Sequence, residues 1–261
     1  VTVALSTSGA ATEGTDYTDG SGAIDDIVIS AGSTTGTVSF TPSDDSVYED
    51  DEAATIAISS VSGGSATESG TQTVTITITD NESAGTVTLA VSASSIAENA
   101  GSSLTLTATL SSVSDEDVTV SLSTSGTATE GTDYTDGSGN IDDITISAGD
   151  TTGTVNFTPT DDSTYEGNET ATIAISGVSG ADATESGSQS VSVTITENES
   201  APSVTLTVSA TSIAENAGSS LTVTATLSGA THENVTVAIS TSGTATEGTD
   251  YTDGSGVVDD I

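Results

Sequence analysis

The sequence has no lysine and no arginine: 39 Asp and Glu with a single His give a formal charge of -39 over 261 residues. Nucleic acid and anionic membrane surfaces are excluded as partners, because both are held by neutralising cations on the protein. What such a surface attracts is cations. Cysteine is absent as well, which excludes a disulfide framework and a zinc–thiolate site. Trp and Met are missing, and five Tyr with two Phe are the only aromatics, so the core must be made of small aliphatic side chains. No apolar run approaches the roughly 20 residues of a spanning helix, and no membrane insertion is expected in this segment. The opening VTVALSTSG is a strand in mid-pattern, so a signal peptide, if one exists, is expected upstream of it.

What is present is Ser and Thr, 96 of 261 residues, and a repeat. EGTDYTDGSGAIDD at 13–26 returns as EGTDYTDGSGNIDD at 130–143 and EGTDYTDGSGVVDD at 247–260. Asp16, Asp133 and Asp250 are 117 residues apart, as are Glu98 and Glu215, and 1–33 differs from 118–150 at only five positions. A unit of this length is one ordinary domain. The chain divides into a partial copy at 1–83 (strands C to G), a complete copy at 84–200, and a partial copy at 201–261 (strands A to C and the start of D). It reads as a window onto a longer array, whose partial copies are half-sandwiches unless another copy completes them. Residues 201–261 are not expected to fold alone; in a polymer, 201–234 of one chain would supply strands A and B to the copy beginning at Val1 of the next.

High acidity signals disorder only where apolar residues are too few to bury a core. Here they alternate: Val87, Leu89, Val91; Leu104, Leu106, Ala108, Leu110; Val118, Val120, Leu122; Ile144, Ile146; Val155, Phe157; Ile173, Ile175; Val191, Val193, Ile195. Period two with Thr and Ser between means half-buried strands. Seven of them, A to G, predict an all-β fold, tandem seven-stranded antiparallel immunoglobulin-like sandwiches in an extended array.

If the strands run up and down, the A–B, C–D and E–F connections and the tail after G share one pole. Ten of the complete copy's 18 carboxylates lie in those segments: Glu98, Glu130, Asp133, Asp136, Asp161, Asp162, Glu166, Glu169, Glu197 and Glu199. Without Lys or Arg they would repel one another unless a cation sat among them. Calcium suits them, a hard ion taking six to eight oxygen ligands in forgiving geometry; zinc and softer metals want His or Cys.

IAENAG, TATEGTDYT, TDDSTYEGNETATIAIS and VTITENES, in this order and spacing, resemble the Calx-beta repeat of sodium–calcium exchangers and very large bacterial surface proteins. The resemblance implies a seven-stranded sandwich that binds calcium through acidic loops at one end, with Glu98, Asp133, Asp161, Asp162 and Glu197 as ligands. Where exchanger domains carry runs of three Asp, this chain has DDS and ENE. The full candidate set is Glu98, Glu130, Asp133, Asp136, Asp161, Asp162, Glu197 and Glu199 in the complete copy. To these are added Glu13, Asp16, Asp44, Asp45, Asp80 and Glu82 in the first copy and Glu215 and Asp250 in the third.

Other motifs have plainer readings. DGSGN at 136–140 is a tight polar turn; as an EF-hand it fails, with Ile141 where Gly is required and Ala23 and Val257 in place of Asn140. Tyr134 and Tyr165 are packing residues at the pole, His232 is an exposed loop residue, and alternate Thr is ordinary on a strand's solvent face. No Ser–His–Asp or paired-carboxylate site recurs, so no enzyme is expected. The expected function is a calcium-binding structural repeat stiffening an extracellular rod, stalk or filament. Its partners are calcium ions and neighbouring repeats, of the same chain or of identical chains. Acidic loops kept for solubility, or loops and sheet faces binding carbohydrate or protein, are the alternatives.

Overall fold

The computed structural model describes residues 1–254 and 258–261; Ser255, Gly256 and Val257, in the third copy of the DGSG turn, lie outside the described residues. The first copy contains β1 (Thr2–Gly9), β2 (Tyr17–Thr18), β3 (Ile27–Val28), β4 (Thr41–Pro42), β5 (Val47–Tyr48), β6 (Glu52–Ser62) and β7 (Thr73–Ile78). The middle copy contains β8 (Thr86–Val91), β9 (Ser95–Ala97), β10 (Leu104–Leu110), β11 (Val113–Ser114), β12 (Val118–Gly126) and β13 (Tyr134–Thr135). It continues with β14 (Ile144–Ile146), β15 (Thr152–Pro159), β16 (Thr164–Tyr165), β17 (Glu169–Ser179), β18 (Thr184–Glu185) and β19 (Ser190–Thr196). The third contains β20 (Val204–Val208), β21 (Val223–Leu227) and β22 (Ala230–Thr231). Among the described residues no helix is long and apolar enough to cross a membrane.

In the middle copy, strands A to G are β8, β10, β12, β14, β15, β17 and β19. One sheet runs β13-β15-β10-β8-β18 and the other β14-β12-β17-β19-β9. The alternating apolar residues meet between them: Val87, Leu106, Val118, Val120, Phe157, Ile173 and Val193 are fully buried. Each such side chain contributes roughly 1.5–3 kcal/mol relative to exposure. Tyr134 stacks on Phe157 with centroids 4.6 Å apart, closing the core beneath the acidic pole.

Two local features position the site. The first strand changes sheets: β8 pairs with β10, while β9 runs parallel to β19 with Ile96 opposite Ile195 and Ala97 opposite Thr196. Glu98, next in sequence, is thereby carried to the end of β19. At the end of β12, Gly126 has φ 129°, and a Cβ there would stand 2.0 Å from the Thr170 carbonyl oxygen. Only glycine lets the C–D loop leave the sheet against β17, and Gly9 repeats the arrangement against Ala53.

The outer copies show what the missing strands did. The first copy keeps one sheet, β3-β1-β6-β7, but its strand E shrinks to Thr41–Pro42 because no strand B lies beside it. Its fully enclosed apolar core is reduced to Ala11, Tyr17 and Ala54. The third copy forms the hairpin β20–β21 with Leu206 57% exposed. Its strand-C sequence is not a strand, although Val237 and Ile261 still exchange two backbone hydrogen bonds, the register of Val120 and Ile144 in the middle copy.

Candidate metal centre

Among the described residues the polar ends of the strands gather carboxylates into three groups, within each of which one oxygen per residue lies within 4.8 Å of the others: Asp16, Glu49 and Glu52; Asp133, Glu166 and Glu169; Glu98, Glu197 and Glu199. The first two are the same site at a spacing of 117. Asp133 is held by its own loop, where the Thr129 N–H donates to Oδ2 at 2.6 Å. Glu169 enters at the first residue of β17, and Glu166 lies on the turn before it. In the third group, Glu98 is 7% exposed and its Oε1 accepts the Asp162 N–H at 3.1 Å. Glu197 is the knot of that group: Oε2 accepts the N–H groups of Glu166 and Gly167 at 2.6 and 2.8 Å, and Oε1 those of Asn198 and Glu199, both at 2.9 Å.

The electrostatics follow from burial without countercharge. Burial, together with the charges of Glu197, Glu199 and Asp162, pushes Glu98 up to about 7 against the opposing Asp162 N–H. Burial, then Asp133 and Glu166, push Glu169 up to about 7. Burial also raises Glu197, but the N–H donors around it win and hold it at about 2. Among the described residues one buried side-chain oxygen, Glu199 Oε2, has no hydrogen-bond partner.

Of the expected residues, Asp16, Asp133, Glu98, Glu197 and Glu199 fall in these groups, and the others stand outside them. Glu130 braces its own loop, accepting Thr124 Oγ1 at 2.8 Å and the Ile141 N–H at 2.7 Å; Glu13 accepts the equivalent Thr7 Oγ1 and Ile24 N–H. Asp136 closes the DGSG turn by accepting the N–H groups of Ser138 and Gly139 at 2.6 and 2.9 Å, and these donors lower its pKa. Asp162 caps its turn through the Thr164 N–H at 2.6 Å, as Asp45 does through Val47 at 2.8 Å. Asp161 is exposed and accepts Asn198 Nδ2 at 3.3 Å; Asp44 is exposed on the same rim. Asp80 and Glu82 line a cleft with Asp16, Glu49 and Glu52. In the third copy Asp250 accepts the Thr246 N–H at 2.7 Å, and Glu215 is exposed.

Four grouped residues lay outside the expected ligand set: Glu49, Glu52, Glu166 and Glu169. Internal comparison carries a signal for them. Between the two glutamates, Asp50-Asp51 becomes Gly167-Asn168, while the glutamates themselves stay.

The groups also meet the next copy. β5 pairs in parallel with β11, Val47 opposite Val113, and β16 with β22, Thr164 opposite Ala230. The acidic pole of one copy therefore faces the opposite pole of the next. Asp115 adds its charge to the repulsion on Glu49 and Glu52, whereas His232, its counterpart at the second junction, relieves Glu166 and Glu169.

The family model of the Calx-beta domain matches residues 1–82, 80–199 and 197–259. Among solved structures, the apo-form Calx CBD1 domain shares 17% identity at a TM-score of 0.36, over 44% of this chain and 99% of that one. CBD12 from CALX1.2 shares 18% at 0.34, over 75% and 87%, and the calcium binding domain CBD12 of CALX1.1 shares 16% at 0.31, over 74% and 86%. No curated protein matches. With three successive matches spanning nearly all of its length, this chain belongs to the Calx-beta domain family.

Proposed function

We propose that the chain is a calcium-binding structural array, a stiff segment of an extracellular rod, stalk or filament. The grouping of carboxylates at the pole that abuts the following copy carries the reading. The donors fit the ion: all are oxygens, no Lys or Arg competes for them, and Glu199 Oε2 is a buried acceptor that a cation would satisfy. Glu98, Glu197 and Glu199 would hold one ion, Asp133, Glu166 and Glu169 a second, and Asp16, Glu49 and Glu52 a third. Bound there, calcium cancels the repulsion within each group and between the pole and Asp115. The E–F turn carries both the glutamates and the bridge to the next copy, so ordering one orders the other. In an extracellular setting such sites need only the weak affinity class of extracellular modules, with dissociation constants of about 10⁻⁴–10⁻³ M.

Calorimetric titration of the chelated chain with calcium, paired with small-angle scattering, tests this. Saturable binding and a maximum dimension that grows or sharpens with calcium are expected. Absence of binding heat, or scattering that is the same with and without chelator, overturns the rod reading.

A further inference from the structure

The junction contains a contact that the carboxylates do not explain. Tyr48, at the tip of the E–F turn of the first copy, is half-buried against the core of the middle copy, and its hydroxyl donates to Asp182 Oδ2 at 3.1 Å. Its backbone is bound as well: Tyr48 stands opposite Ser114 in the parallel bridge, and its carbonyl accepts the Asp115 N–H at 3.3 Å.

The receiving surface is built for this. Ser114 is 3% exposed and its carbonyl accepts the Gly149 N–H at 2.8 Å, which ties the B–C turn to the D–E turn. Glu116 Oε2 accepts the Ala181 N–H at 3.2 Å, which ties the B–C turn to the F–G turn. Within the F–G turn, Gly180, Ala181 and Asp182 have φ of 95°, 51° and 46°. A left-handed alanine is unfavourable and persists where its surroundings over-determine it; here Ala181 and Ala183 are 6% and 7% exposed. The same turn in the first copy, Gly63, Gly64 and Ser65, has φ of 84°, 58° and 55°. The conformation therefore belongs to the turn, with an oxygen-bearing side chain at its third position in both copies.

The backbone part of the contact recurs at 117 residues. Tyr165 stands opposite Thr231, and its carbonyl accepts the His232 N–H at 3.3 Å. We propose that the B–C and F–G turns of each copy form a socket for the E–F tip of another repeat of this kind, and that the tip tyrosine is the pin that sets the angle between copies. The partner is specified by its chemistry: a tyrosine preceded by a short extended residue and followed by two glutamates three apart, as in VYEDDE and TYEGNE. The proposal rests on the head-to-tail stacking of the array reading and adds to it a lock formed by the chain itself. Ions act on the neighbouring carboxylates; the tyrosine acts whether or not they are bound.

The absence of cysteine allows a clean measurement on the whole chain. Ser60→Cys and Ser102→Cys, both exposed positions, take spin labels on the first and middle copies, and the inter-label distance distribution is read with calcium and with chelator. A single narrow distribution is expected for the parent. Tyr48→Phe, which keeps the ring, and Asp182→Asn, which keeps a carbonyl acceptor, are expected to broaden it modestly, and Tyr48→Ala at least twofold in both media, with circular dichroism confirming retained strands. A Tyr48→Ala distribution as narrow as the parent's in chelator overturns the pin. The two readings fail differently: parent distributions indifferent to calcium, with Tyr48→Ala broad in both, retain the pin and remove the ion's structural role. Broadening of the parent by chelator, with no added effect of Tyr48→Ala, does the reverse.

Discussion

The acidic poles of the first and middle copies are the same residues at a spacing of 117, yet among the described residues the middle pole holds two carboxylate groups and the first holds one. The difference is Glu98. It arrives on β9, the segment that crosses from one sheet to the other beside β19, and the first copy has no such segment here. Its Asp80 and Glu82, the counterparts of Glu197 and Glu199, are left in the cleft of the Asp16 group. The poles also face different neighbours, Asp115 at one junction and His232 at the other. Loops supply the carboxylates, but strand pairing and the adjoining copy decide how many converge and against what charge.

The largest effect expected to separate the two poles is calcium removal. A ligand at a hundredfold excess over its Kd stabilises the native state by about 2.7 kcal/mol. For a domain near 100 residues that is a shift of roughly 10–20 °C. Scanning calorimetry with and without chelator should show the middle copy, with two groups, losing more than the first.

Removing Glu98 should make the middle pole resemble the first. Glu98→Gln keeps an acceptor for the Asp162 N–H while deleting the buried charge. The expected result is a loss of at least tenfold in affinity at one site, about 1.4 kcal/mol, with binding at Asp16, Glu49 and Glu52 unchanged by titration. Because Asp161 and Asp162 are exposed and occupied on the rim, changing both to Asn should weaken binding less than Glu98→Gln; an equal or greater loss would place the ion nearer the rim than the grouping implies.

The pH profile should carry the same asymmetry. Glu98 and Glu169 have folded-state pKa values near 7, above their ordinary value of 4.5, so the folded state holds more protons between those limits. Without calcium their contribution to stability falls as pH rises from about 4.5 to about 7 and then levels off. Calcium affinity should rise over the same window as the carboxylates are freed of protons. Glu197, held near 2, acts in the opposite sense: its contribution is present above 4.5 and is lost as pH falls through about 2. Denaturation midpoints of the chelated chain between pH 4 and 8 check the first sign.

The smallest expected effect exchanges the neighbours. Asp115→His should reduce the dependence of the first junction on calcium by a few-fold, and His232→Asp should raise that of the second. Both changes should shrink in high salt, because these are partly exposed charges separated by solvent. Titrations of the two variants at low and high sodium chloride would show whether the junction residue tunes its site.

Alternation of Val, Ile and Leu with Thr announced the strands, because a two-residue period has one physical meaning in a half-buried sheet. Strand parity likewise put the acids at one pole. The ligand set was harder to read. Glu130 and Asp136 have the right charge, but they brace their own loops through the N–H groups of Ile141, Ser138 and Gly139 and stand outside the three groups. Which carboxylates converge is a matter of loop conformation that spacing does not encode.

By itself the sequence determined the period of 117, the strand faces and the excess of acid over base, since composition and local pattern suffice for each. Tertiary structure decided the rest. It alone made Val118–Gly126 a strand while the near-identical residues from Val235 on formed none, because a strand exists only where partners accept its hydrogen bonds along its length. It put Glu98 beside Glu197 across 99 residues of chain and seated Tyr48 in the middle copy. Both contacts depend on long-range pairing, which no local run of residues specifies.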